Sequence, residues 1–150
     1  MPERPQMSRE DFMAFILDHR EKPRNNHAMD NPTVEASGGN PGCGDIVTVY
    51  LNVDDDRITD ISYVGEGCTI SQAGASFMTS RLKGKTLAEV EAMDYDIITD
   101  TFGREVMATR PRCATLALGT IKSAVRKYRD EARKQSLNAT PEMTDAAPSP

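Results

Sequence analysis

The chain has 150 residues, with 18 Lys and Arg against 23 Asp and Glu, a net charge of −5, 38% hydrophobic and 5% aromatic residues, and no Trp. That is the length of one ordinary domain. The acidic balance argues against a phosphate-backbone partner and the few aromatics against base stacking, so no nucleic acid is expected. No window approaches the ~18 consecutive apolar residues of a membrane span, and no apolar run follows the charged start MPERPQMSRED, so the expectation is a cytoplasmic protein without membrane contact. Three cysteines, an odd number, point to reduced working thiols rather than a disulfide frame.

Ser8 and Asp11 form a weak helix-start signal, and Phe12, Phe15, Ile16 and His19 recur at helical spacing as one apolar stripe. Pro23 ends that pattern. The stretch to Pro41 is rich in Asn, Gly and Pro, with a short strand over Thr33–Ala36. From Ile46 the period becomes two: Val47, Val49, Leu51 and Val53 share one face of a strand, Asp54–Asp56 supply a turn, and Ile58–Val64 returns as its antiparallel partner. Thr69 or Ser71 then caps a helix that runs to about Lys83 and stops at Gly84. Thr86 and Glu89 make a capping box for a helix carrying Leu87, Val90 and Met93, and Asp94–Asp100 adds a helical turn or two. Pro111 precedes a final helix whose buried face is Leu118, Ile121, Val125 and Tyr128. Residues 1–134 thus read as one α+β domain, a small antiparallel three-stranded sheet packed against helices, and 135–150 as a disordered C-terminal tail.

The thiols lie in three separate strings: Cys43 in NPGCGD, Cys68 in GEGCTIS and Cys113 in RPRCAT. Separations of 25 and 45 residues exclude the CxxC pairs of zinc ribbons and thioredoxins, so the neighbourhoods carry the information. Gly42 and Gly44 let the backbone turn closely about Cys43, and Asp45, two residues on, shares its face once strand geometry begins. Cys68 and Cys113 stand at helix starts, with Arg110 and Arg112 beside the latter, where thiolates are stabilised. Inert buried cysteines normally sit within apolar runs, and these do not. If the loop and the two helix starts meet at one end of the domain, Cys43, Asp45, Cys68 and Cys113 form a set of three thiolates and one carboxylate. Such a set suits Zn²⁺ or the irons of an iron–sulfur cluster. The only histidines, His19 and His27, are far in sequence from every thiol, which disfavours a cysteine nucleophile of the protease kind; His19 reads as packing and His27 as loop.

The strings NPGCGD, GEGCTISQAGAS and RCATL, with ILDHREKPRNN before them, resemble the iron–sulfur cluster assembly scaffolds of the IscU/SufU/NifU N-terminal domain family. The resemblance covers about residues 10–130 and implies a SufE/NifU-like α+β fold with the cluster or metal site at one end. It implies a scaffold that receives sulfur from a pyridoxal-phosphate-dependent cysteine desulfurase, binds a [2Fe–2S] or [4Fe–4S] cluster and hands it to apo iron–sulfur proteins. By position, Cys43, Cys68 and Cys113 match the cysteine ligands and Asp45 the aspartate beside the first. Arg112 stands where IscU-type members have a histidine, and Met107–Pro111 replaces their Leu-Pro-Pro-Val-Lys chaperone-docking motif. GEGC, ISQA and the basic residue before Cys113 are similar to the SufU branch, without that branch's insertion between the second and third cysteines.

Two functions compete on this reading. The first is the cluster scaffold, a carrier more than an enzyme, with Cys113 as the leading persulfide acceptor because of Arg110 and Arg112, and Cys68 as its competitor. The second is a zinc-dependent sulfurtransferase that relays persulfide sulfur with Zn²⁺ held by the same four residues; Arg112 favours it. The sequence leaves open a cluster held by one chain or shared within a homo-oligomer.

Overall fold

A computed structural model describes residues 8–40 and 44–139. Helix α1 (Arg9–Glu21) is followed by β1 (Val34–Asn40), β2 (Asp45–Asp54) and β3 (Arg57–Glu66), then α2 (Thr69–Leu82), α3 (Leu87–Ala92), α4 (Asp96–Thr109) and α5 (Pro111–Ala139). The strands form one antiparallel sheet in the order β1-β2-β3. This is the expected three-stranded α+β arrangement. No helix among the described residues is long and apolar enough to cross a membrane.

The alternating strand pattern has the expected consequence. Val47, Val49 and Leu51 of β2 are buried on one face, and the register sets Tyr63 opposite Val49 and Ile61 opposite Leu51. Against this face lie α2 and α5, which also pack on each other and contribute Met78, Leu82, Leu118, Ile121 and Val125 to the core. The β2–β3 connection is two residues long, Asp55 and Asp56, both at positive φ (+53° and +58°). That is the backbone of a tight hairpin turn whose twist matches the strands, and Asp is among the few side chains that tolerate it. The outer edge of β3 is covered at both ends: Tyr63 N–H donates to Asn25 O at 2.9 Å, and Ile58 N–H to Lys85 O at 2.9 Å.

Several boundaries differ from the expectation, each for a local reason. The first strand is longer than Thr33–Ala36 because Ser37–Asn40 continue the pairing with Asp45–Thr48 despite two glycines. Helix α2 is capped by neither Thr69 nor Ser71 but by Cys68, whose extended backbone and Sγ take the N-cap role. The turn expected after Asp94 grows into α4, because Ile98 and Phe102 recur at i, i+4 and both find the core; Gly103 (φ +88°) then kinks it. Helix α5 continues to Ala139, past the expected tail start at Gln135, since nothing in Gln135–Ala139 breaks a helix. Residues 140–150 of the expected tail lie outside the described residues, as does Cys43. The Thr86/Glu89 capping box forms as expected, with both reciprocal bonds present.

His19, expected as a packing residue, is buried and stacks beside Phe15 and Phe77. Its Nδ1 lies 2.6 Å from Ser76 Oγ, which also accepts Arg24 N–H at 2.9 Å and bonds the Tyr63 hydroxyl. Burial first, and then the Arg24 cation, hold the His19 pKa below its ordinary 6.5. The unfolded chain therefore binds more protons in the acid range. The stability this centre contributes is complete above the unfolded pKa of 6.5 and is lost as pH falls through it toward the lowered folded value. The melting temperature is expected to hold steady above about pH 7 and to fall toward about pH 5.5. His19→Asn is expected to remove most of that slope; an identical slope in the variant would assign it to other groups.

Candidate functional site

The ends of three elements meet at one end of the sheet. Asp45 is the first residue of β2 and pairs with Asn40 across the β1–β2 connection. Cys68 lies two residues past the end of β3 and caps α2, and Cys113 is the third residue of α5, whose first residue, Pro111, has no amide proton to leave unpaired. Both helices thus direct their N-terminal dipoles toward the same spot, which favours anionic donors there.

The Asp45 carboxylate is at the centre and only 1% exposed. Its Oδ1 accepts the Cys68 backbone N–H at 2.7 Å, and its Oδ2 accepts the Cys113 thiol at 2.9 Å and faces the Cys68 thiol at 3.8 Å. Burial acts to raise its pKa, but the bonds from Cys113, the Cys68 amide, Ser71 and the Cys68 thiol together outweigh it and hold the carboxyl below the ordinary carboxylate value. Cys68 Sγ also accepts the Ser71 N–H at 3.4 Å, while Ser71 Oγ turns back to the Cys68 carbonyl at 3.0 Å. The two thiols differ in access: Cys68 is half-buried and Cys113 is 1% exposed.

One donor atom each from Asp45, Cys68 and Cys113 lies within 4.8 Å of the others. Tetrahedral zinc, with bonds of about 2.3 Å to sulfur and about 2.0–2.2 Å to oxygen, sets its donors about 3.5–3.8 Å apart; the donor types fit, and Asp45 Oδ2 stands 3.8 Å from Cys68 Sγ and 2.9 Å from Cys113 Sγ. The arrangement also creates a need for a cation. Once both thiols lose their protons, three negative charges stand together, and each pair about 4 Å apart repels by ~4 kcal/mol at an effective dielectric constant of ~20. A bound metal cancels that repulsion.

Of the four site residues expected from the sequence, the structure brings Asp45, Cys68 and Cys113 together; Cys43 lies outside the described residues. Arg110 and Arg112, expected to favour the Cys113 thiolate, are exposed, and that thiol donates to the Asp45 carboxylate. Sequence reasoning missed the double role of Cys68 as helix cap and site residue. The available signal was a cysteine directly before a helix with a polar residue three positions on, the spacing of an N-cap bond. Arg24 pairs with Asp18 at 2.6 Å.

Comparison with known proteins agrees with this geometry. The model of the NifU-like N-terminal domain matches residues 12–135. The iron–sulfur cluster assembly scaffold protein IscU of Streptococcus pyogenes serotype M1 is 33% identical over 135 residues, covering 77% of this chain and 83% of that protein. The zinc-dependent sulfurtransferase SufU of Bacillus subtilis strain 168 is 32% identical over 133 residues, covering 77% and 90%. The crystal structure of the N-terminal part of a nitrogen-fixing NifU-like protein from Brucella abortus matches with a TM-score of 0.70 over 82% of this chain and 99% of that one; at 22% identity it speaks for the fold.

The cap role of Cys68 can be separated from its role as a donor. Cys68→Ala is expected to destabilise the metal-free protein by about 1 kcal/mol, whereas Cys68→Ser, which keeps a capping oxygen, is expected to match the wild type. Urea midpoints of the two variants check this, and equal midpoints would remove the cap assignment.

Proposed function

Since the chain belongs to the NifU-like N-terminal domain family, we propose that it is an iron–sulfur cluster assembly scaffold. On this reading it receives sulfur from a pyridoxal-phosphate-dependent cysteine desulfurase, builds a [2Fe–2S] cluster on Cys43, Asp45, Cys68 and Cys113, and passes it to apo iron–sulfur proteins. The observation that carries the reading is the meeting of one oxygen and two sulfur donors from three separate elements within 4.8 Å. Relatives named as an IscU scaffold and a SufU sulfurtransferase support it.

Each residue has a part that follows from its chemistry. Soft thiolates hold iron firmly, whereas the Asp45 oxygen is a harder ligand that exchanges more readily, as cargo release requires. Cys43, two residues before Asp45, completes the set of four. Sulfur arrives when a scaffold thiolate attacks the outer sulfur of the desulfurase persulfide: a new S–S bond forms, the old one breaks, and the desulfurase cysteine leaves as thiolate. Cys113 has the first turn of α5 in its favour; Cys68 has the better access, being half-buried, since Cys113 must first be uncovered.

The second reading rests on the fit of the same donors to four-coordinate zinc. Zn²⁺ held by Cys43, Asp45, Cys68 and Cys113 would keep the thiols ionised at neutral pH, and the protein would relay sulfur without storing a cluster.

Anaerobic purification with iron, zinc and acid-labile sulfide analysis separates the two. The scaffold reading expects iron and sulfide in near-equal amounts with visible absorption after reconstitution; tight zinc and no cluster would transfer the assignment to the relay. Asp45→Ala is expected to retain cluster binding and to slow transfer to an apo-acceptor by about ten-fold or more, the scale of changes around a metal ligand. Unchanged transfer would remove Asp45 from the release step. Mass spectrometry after incubation with a desulfurase and cysteine is expected to find the persulfide on one thiol and to lose it in the matching Cys113→Ser or Cys68→Ser variant. Persulfide persisting at full level in both variants would exclude both acceptors.

A further inference from the structure

Gly67 directly precedes Cys68 and has a φ of +146°, a backbone conformation that L side chains rarely adopt. Its surroundings add a second constraint. A Cβ on Gly67 would lie 2.1 Å from Asp45 Oδ1 and 2.9 Å from both Asp45 Cγ and Asp45 Cα. The space that this glycine leaves empty is the space the Asp45 carboxylate fills. The three other described glycines at positive φ, Gly44, Gly84 and Gly103, have nothing within 4 Å of such a Cβ, so close approach to a side-chain oxygen is special to Gly67 among them.

The geometry points to Gly67 as a positioning residue that makes Asp45 a one-oxygen donor to the site; this deepens the scaffold reading and rests on it. With no side chain at position 67, Asp45 lies against the backbone and gives Oδ1 to the Cys68 N–H at 2.7 Å. That bond commits one oxygen to the protein and turns the other, Oδ2, toward the Cys68 and Cys113 thiols. A carboxylate fixed in this way offers a metal or a cluster iron one oxygen in a set orientation and not a chelating pair. Such a ligand lets go by breaking one bond while the Cys68 amide still holds the side chain in place. The same peptide segment supplies the empty space, the amide and the next donor, so Gly67 and Cys68 set the direction of Asp45 together.

The test compares Gly67→Ala, Asp45→Ala, the double variant and Gly84→Ala in the full chain. Gly84 is at φ +88° with open space around it, so its variant reports backbone strain without the clash. In the metal-free protein, the Cys68 amide proton, bonded to a carboxylate in the wild type, is expected to move upfield in ¹H–¹⁵N spectra of Gly67→Ala and of Asp45→Ala. The double variant is expected to add no further shift, and Gly84→Ala none at all. Co²⁺ binding, followed by its visible spectrum, is expected to weaken about ten-fold or more in each site variant and not multiplicatively in the double. The melting temperature lost in Gly67→Ala is expected to be partly regained in the Asp45→Ala background, because two of the three clashing atoms, Oδ1 and Cγ, are gone. A Cys68 amide unmoved in folded Gly67→Ala overturns the proposal. So does an equal stability loss in both backgrounds, including failure of both to fold. Wild-type Co²⁺ affinity in Asp45→Ala overturns instead the assignment of Asp45 as a ligand, and the amide result then stands by itself.

Discussion

One buried carboxylate joins the three parts of this molecule that matter for its chemistry. Asp45 is 1% exposed and ionised, and moving such a group out of water costs several kcal/mol unless hydrogen bonds replace the lost solvation. The Cys68 amide and the Cys113 thiol provide that replacement, so the first residue of β2 is tied to the start of α2 and to the start of α5. Without that tie, two helix N-termini and a strand end would merely be neighbours. With it, their donor atoms share one small volume.

The rest of the fold makes the tie geometrically available. Helices α2 and α5 lie on the same sheet face and on each other, and they approach closely: a Cβ on Gly74 of α2 would lie 3.5 Å from the Ala114 carbonyl oxygen of α5. Strand β1 approaches α5 so closely that a Cβ on Gly38 would stand 2.1 Å from Thr120 Oγ1. Close packing of slender elements brings two helix starts to the same sheet end, where larger side chains would hold them apart. The slender start of α2, Ser71–Ser76, therefore serves the site as well as the core.

The site itself is asymmetric in ways that suit a carrier. Its sulfurs differ in exposure, its oxygen has one atom bonded to the backbone and one facing the thiols, and its protons sit between groups that a metal would draw together. A set of donors that hydrogen-bond one another when metal-free holds its shape before cargo arrives, and it ionises when a cation offers compensation. The polar centre formed by His19, Arg24 and Ser76 plays a different part: it pins α1 and the segment after it to α2 through hydrogen bonds that meet at Ser76 Oγ.

Much of this was legible in the chain. The period-two run from Val47 to Val53, the aspartate turn, the Thr86/Glu89 capping box and the Pro111 helix start are local signals, and each formed where the residues placed it, because each depends on neighbours a few positions away. The composition of the site was legible too, since glycine, acid and helix-start neighbourhoods mark working thiols. Helix boundaries were less so: α4 and the end of α5 depend on core contacts and on the absence of breakers rather than on a start signal. The direction of the Asp45 carboxylate, the full burial of Cys113 against the half-burial of Cys68, and the need for an empty Cβ position at Gly67 were decided only by tertiary structure. All three arise from atoms at least 22 positions apart in the chain being forced into contact, and no local pattern encodes a distance between such partners.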